Sequence, residues 1–132
     1  MSTADPIAAA APVTSWDGFV TAVRGCVACS ELAATRTQVV PGVSPPGADV
    51  LFVGEAPGAQ EDALGVPFVG RSGQLLESLL AEAHLSRERL AVANVLKCRP
   101  PANRKPRRGE VDRCRPWLVR QIELLDLSLI HI

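Results

Sequence analysis

The chain has 132 residues, enough for one domain with a core of its own but small for a complete enzyme. Hydrophobic residues make up 47% of it, yet no run approaches the roughly 18 apolar residues of a membrane span. A soluble, cytoplasmic monomer without a secretory leader is therefore expected, since the first fifteen residues have neither a basic start nor an apolar core.

In chain order, residues 1–14 are Ala/Pro-rich without periodicity and read as a disordered leader. Ser15 can cap a short helix with Trp16, Phe19, Val20 and Val23 on one face, which delivers Cys26 and Cys29 at or beyond its end. Val50 to Val53 is an apolar run stopped by Gly54 and fits a buried strand of a parallel sheet. A loop of about 15 residues, rich in Gly, Pro and acids, is expected next. Ser72 then opens a helix to about Ala83 with a stripe of Leu75, Leu76, Leu79 and Leu80. Leu90 to Leu96 reads as a second buried strand, and a basic loop with prolines leads to a helix from Glu110 to about Leu125. Helix and strand alternate, so the class is α/β with a central parallel sheet.

Charge sums to zero, 14 basic against 14 acidic, but its distribution is uneven. Nine basic and two acidic residues lie between Lys97 and Arg120, whereas the first 96 residues hold five basic and ten acidic. That local excess suggests a polyanion such as nucleic acid, with a plain solvated basic face as the bland alternative. The four cysteines are spaced C-x2-C (Cys26, Cys29) and C-x15-C (Cys98, Cys114) around this segment. Four thiolates on one metal centre fit such spacing, and the spacing alone leaves zinc and iron–sulfur both open. Disulfides are disfavoured without a secretory context.

In a parallel α/β sheet ligands bind beyond the carboxyl ends of the strands, here the loops after Gly54 and after Asn94. The first loop lacks both common phosphate-cradle patterns, and its carboxylates Glu55, Glu61 and Asp62 would repel a phosphate. Asn94 is the sharper clue, because an amide in an apolar strand must be hydrogen-bonded or presented at the strand's end. Phe68, alone, reads as core rather than as part of a site.

Several motifs in register carry a resemblance: Gly54-Glu55-Ala56-Pro57-Gly58, then Gly65-x-Pro67-Phe68-Val69-Gly70-Arg71-Ser72-Gly73, then Asn94-Val95-Leu96-Lys97-Cys98-Arg99-Pro100-Pro101-x-Asn103-Arg104, and Cys114-x-Pro116-Trp117-Leu118. With all four cysteines in order, the stretch from Cys26 to Leu125 resembles the family 4, iron–sulfur, uracil-DNA glycosylases. The resemblance implies a three-layer α/β/α fold and hydrolysis of the N-glycosidic bond of uracil in single- or double-stranded DNA, leaving an abasic site in base excision repair. It also implies a [4Fe-4S] cluster on Cys26, Cys29, Cys98 and Cys114, which would decide against zinc. Phe68 would stack on the flipped uracil and Asn94 would read its Watson–Crick edge. Glu55, with Gly54 and Ala56, would line the uracil and the hydrolytic water.

Extruding a base costs stacking that an aromatic platform partly restores, and bond cleavage places negative charge on the departing uracil. In the better-known uracil glycosylases an Asp stands where this chain has Ala56, so leaving-group stabilisation is expected to do more of the work. The family's His-Pro-Ser motif has no match in these residues, since neither His84 nor His131 lies in that context. Arg104, Lys105, Arg107 and Arg108 are the expected DNA contacts.

The domain is assigned to residues 15–125, with 126–132 a tail of uncertain origin, apolar enough for a third strand. The pattern is that of a fragment, or of a chain with a foreign tail, and low activity is expected. Two alternatives are a catalytically dead DNA- or uracil-binding module and a covalent uracil-DNA cross-linking relative. The second is disfavoured by Ala56 and by the lack of His in the 97–110 loop.

Overall fold

Two short apolar runs, Val50–Gly54 (β1) and Leu90–Asn94 (β2), form the heart of the computed structural model, which describes residues 5–125 and the backbone of 129–131. They pair in parallel from Val50 opposite Leu90 to Gly54 opposite Asn94. A third strand, Leu129–His131 (β3), pairs in parallel with Val50 to Phe52, giving the order β2-β1-β3. This agrees with reading the end of the chain as a strand; residues 126–128 and 132 lie outside the described residues.

Each face of the sheet is covered, because parallel strands joined by helical crossovers place helices on both sides. Leu51, Val53, Ala91 and Ala93 pack under Leu118, Ile122 and Leu125 of the helix Arg108–Leu125. On the other face Leu90, Val92, Val50 and Phe52 meet Leu76 and Leu80 of the helix Arg71–Glu82. The layering is thus α/β/α. Only half of the expected leucine stripe is buried: Leu76 and Leu80 face the sheet, while Leu75 and Leu79 are exposed. The free edge of β2 is closed by a loop residue, Val43, whose N–H and C=O exchange hydrogen bonds with Val92 at 2.8 and 2.9 Å.

In chain order the helices are Pro6–Ala10 (α1), Trp16–Arg24 (α2), Ser30–Thr35 (α3), Ala59–Leu64 (α4), Arg71–Glu82 (α5) and Arg108–Leu125 (α6). Ser15 caps α2 as expected, its hydroxyl accepting from Gly18 N–H at 3.0 Å. Of the disordered leader expected over 1–14, residues 1–4 lie outside the described residues, and Pro6–Ala10 form α1 instead. Asp5 accepts from the N–H groups of Ile7 and Ala8, and Pro6 occupies the first turn, a pairing of N-cap and N1 proline that is itself a helix-start signal. Ala10 and Val13 are buried beside Phe19 and Trp117, and Arg120 of α6 donates through Nε to Val13 O at 2.8 Å. Small alanines allow that close approach.

The acid-rich loop after β1 is also partly helical. Gly58 and Glu61 start α4, and Gly65 ends it with a φ of 74°. Helices α1, α2 and α3, with Leu96, Cys98 and Trp117, build a second apolar cluster beside the sheet. The cysteines sit in that cluster.

Candidate active site and cysteine centre

Because Gly54 and Asn94 lie opposite each other, the loops that follow both strands leave the same edge of the sheet. Between them is a cavity of about 450 Å³ bounded by Gly54, Glu55, Ala56, Phe68, Asn94 and Arg104, among others. The expected site residues Gly54, Glu55, Ala56, Phe68 and Asn94 are therefore brought together.

Gly54 decides the shape of this cavity. A Cβ at that position would lie 2.5 Å from Asn94 Oδ1 and 2.5 Å from Phe68 Cζ, so only hydrogen fits between amide and ring. Asn94 is only 4% exposed, and its backbone carbonyl accepts from Lys97 Nζ at 2.7 Å. Its side-chain amide makes no hydrogen bond to the other described residues. It lines the cavity, where a ligand or water can pair with it. Phe68 packs edge-to-face on Phe52, with centroids 5.7 Å apart at 88°. Its backbone is left-handed, with a φ of 55°. Helix α5 approaches the Phe68 carbonyl so closely that a Cβ on Gly73 would fall 2.1 Å from the oxygen.

Glu61 and Asp62 correct the expectation that this loop presents a set of repelling carboxylates. Both are buried. Glu61 accepts from Gly58 N–H at 2.9 Å, Val69 N–H at 3.0 Å and Gly70 N–H at 2.8 Å, tying α4 to the Phe68 loop. Burial pushes its pKa up, but the amides of Gly70, Val69 and Gly58 outweigh burial and leave it below the ordinary value. Asp62 accepts from Thr37 N–H at 2.9 Å and holds the 37–38 segment to α4. Of the loop's three acids only Glu55 is exposed, at the mouth of the cavity. His84 is exposed beyond α5 and is not part of the cavity wall; His131 pairs through its backbone with Phe52.

The basic segment is less free than its composition suggests. Lys97, counted with the surface charges, is 1% exposed and donates to Asn94 O and to Gln121 Oε1 at 2.5 Å. Burial pulls its ammonium down to about 8, against the sulfurs of Cys114 and Cys98. Arg104 forms a two-pronged pair with Glu110, at 2.9 and 2.8 Å, and also faces Glu31 at 3.3 Å. That pairing raises its pKa and holds Glu110 down at about 2. Arg107 is exposed but bound to Glu31 at 2.6 Å. Lys105 and Arg108 are exposed.

Cys26 follows α2, Cys29 precedes α3, Cys98 follows β2 and Cys114 lies in α6, and all four line one internal cavity with Arg36, Lys97, Arg113 and Trp117. Nitrogen donors face the sulfurs, the Lys97 backbone N–H facing Cys114 among them. Trp117 Nε1 is 3.3 Å from Cys26 Sγ and Arg36 Nη1 is 3.1 Å from Cys98 Sγ. Arg113 is hydrogen-bonded to Cys29, which raises the arginine's pKa. Burial pushes the Cys98 thiol up and the Cys114 thiol up to about 12. Such thiols become thiolates when a cationic centre takes them as ligands. Among the described residues no three His, Cys, Asp or Glu side chains converge on a single-ion site.

Sequence reasoning missed Glu61, Lys97, Arg36, Arg113 and Trp117. Glu61 alone carried a local signal, an acid three residues into a helix that starts at glycine. The others depend on side chains meeting across long sequence separations.

The family profile described as "Uracil DNA glycosylase superfamily" matches residues 41–132. The type-4 uracil-DNA glycosylase of Archaeoglobus fulgidus is 47% identical over 88% of this chain and 58% of its own length. That of Thermotoga maritima is 45% identical over 82% of this chain and 56% of its own length. The Saccharolobus solfataricus relative with the same description is 48% identical over 82% and 50%, respectively. The chain spans about half the length of the curated relatives it matches.

Proposed function

Since the chain belongs to the uracil DNA glycosylase superfamily, we propose that it recognises uracil extruded from DNA and serves hydrolysis of its N-glycosidic bond, in the manner its type-4 relatives' names describe. The observation that carries this reading is the convergence of the unpaired Asn94 amide and the Phe68 ring on the hydrogen of Gly54. A planar base in the cavity stacks on Phe68, a contact worth about 1–3 kcal/mol. The Asn94 amide donates to uracil O4 and accepts from N3–H, the reverse of what cytosine presents. Lys97, fixed between Asn94 O and Gln121, braces the backbone that carries this amide.

Bond cleavage leaves negative charge on uracil and a cationic sugar that water must attack. Glu55, the exposed acid at the mouth, holds that water, because Ala56 offers no carboxylate of its own.

Four cysteine thiols lining one internal cavity, with N–H groups turned toward them, are a donor set that fits a [4Fe-4S] cluster. Cys26, Cys29, Cys98 and Cys114 would hold it. When bound, the cluster supplies a cross-link between α2, β2 and α6, since the hydrolysis itself moves no electrons. The loop between Cys98 and Cys114 then presents Lys105 and Arg108 to phosphates, while Arg104 braces the loop against Glu110.

The test is binding and excision on single strands carrying one deoxyuridine, deoxycytidine or thymidine. Asn94→Asp should weaken uracil and gain affinity for cytosine, since a carboxylate accepts from the cytosine amino group but cannot donate to O4. An unaltered preference for uracil in this variant overturns the assignment. Binding that never yields abasic sites, even on long incubation, would instead favour a binding module.

A further inference from the structure

We propose that Arg87 is a positioning residue for Phe68, setting on which side of its loop the aromatic platform stands; this rests on the stacking role given to Phe68 above. A φ of 55° is rare for a bulky aromatic residue and persists only where neighbours impose it. Arg87, in the short turn before β2, reaches back to that residue. Its Nη2 donates to Phe68 O at 2.8 Å and to Pro67 O at 3.3 Å, and its Nη1 donates to Glu77 of α5 at 2.8 Å. A planar guanidinium suits two successive carbonyls and a carboxylate at once, which an ammonium cannot match. Gly73 closes the space on the other side of the same carbonyl.

Phe68 forms part of the wall between two cavities. One contains Asn94; the other, of about 540 Å³, is bounded by Val66, Arg87, Leu90 and Val92. It is mostly apolar and has room for a phenyl ring. If the carbonyl were released, residue 68 would relax to a negative φ, its Cα–Cβ bond would turn, and the ring would leave Gly54 for the second cavity. Arg87 borders only the second cavity, so its effect on uracil runs through Phe68.

The experiment compares Arg87→Ala, Arg87→Lys, Phe68→Ala and the Phe68→Ala/Arg87→Ala double variant of the cluster-loaded chain. Affinity is read by fluorescence anisotropy for a single strand with one deoxyuridine against the same strand with thymidine. The backbone HN–Hα coupling and ring shifts of Phe68 are read by NMR. Arg87→Ala should reduce the uracil preference on the order of tenfold and move the Phe68 coupling off its left-handed value. Arg87→Lys should recover part of both. In the Phe68→Ala background, removing Arg87 should change the preference no further. An equal loss in that background, or an unmoved coupling in Arg87→Ala, overturns the proposal. If Phe68→Ala itself keeps full uracil preference, the stacking reading falls, and the coupling alone decides whether Arg87 holds residue 68. Should Arg87→Ala not fold, Arg87→Gln makes the same comparison.

Discussion

Gly54→Ala is the most direct probe of the cavity. Ordinary van der Waals contact begins near 3.4 Å, and the added methyl would stand 2.5 Å from both Asn94 Oδ1 and Phe68 Cζ, so amide and ring must together yield about 0.9 Å each. Neither is a loose surface group: Asn94 is buried in β2, and Phe68 is held from behind by Phe52. Overpacking of this kind costs about 1–3 kcal/mol of stability. A displacement near 1 Å of groups that orient a ligand costs up to about 10²-fold in activity or binding. Thermal unfolding should therefore show a modest loss, while affinity for a deoxyuridine-containing strand falls by roughly two orders of magnitude. Binding to an all-thymidine strand should hold, because the exposed Lys105 and Arg108 are not among the groups that the added methyl meets. Phe68→Ala in the same chain removes one of the two clashes and should restore part of the stability without restoring uracil preference. If Gly54→Ala binds uracil as well as the parent chain, the base does not lie between Asn94 and Phe68.

Protein expressed with ample iron should be brown and carry about four irons with matching acid-labile sulfide per chain; one zinc without sulfide would refute the cluster. Lys105→Ala and Arg108→Ala should each flatten the slope of log affinity against log salt by about one unit. Arg104→Ala should lower thermal stability more than it alters that slope, because its guanidinium is bound to Glu110; the opposite pattern would make Arg104 the phosphate contact. Glu110 titrates near 2 when folded, held down chiefly by Arg104 against burial, and near its ordinary 4.5 when unfolded. Its stabilising contribution is therefore complete above pH 4.5 and is lost as pH falls toward 2. Acid titration of stability should be shallower across that window for Glu110→Gln than for the parent chain; equal curves would show that the pair contributes nothing.

Much of this protein is legible along the chain. Two apolar runs, one stopped by Gly54 and one read through to Leu96, specify two parallel strands, because burial on both faces needs hydrophobic residues; the second strand in fact ends at Asn94. The meeting of Gly54, Phe68 and Asn94 follows from motif order and from the rule that loops at the carboxyl ends of parallel strands share an edge. Asp5-Pro6 carried a helix signal that the Ala/Pro composition of residues 1–14 obscured. The charge pattern misled for a different reason. Composition counts Lys97 and Arg104 as surface cations, but their fate depends on Gln121, 24 positions away, and on Glu31, far earlier in the chain. Likewise nothing local announces that Trp117 and Arg36 aim N–H groups at Cys26 and Cys98. Local sequence determines what a backbone segment becomes, through propensity and periodicity. Which charges are neutralised, which carboxylates turn inward and which amide is left open to a ligand are decided only when distant segments pack, because desolvation and hydrogen bonding depend on neighbours in space.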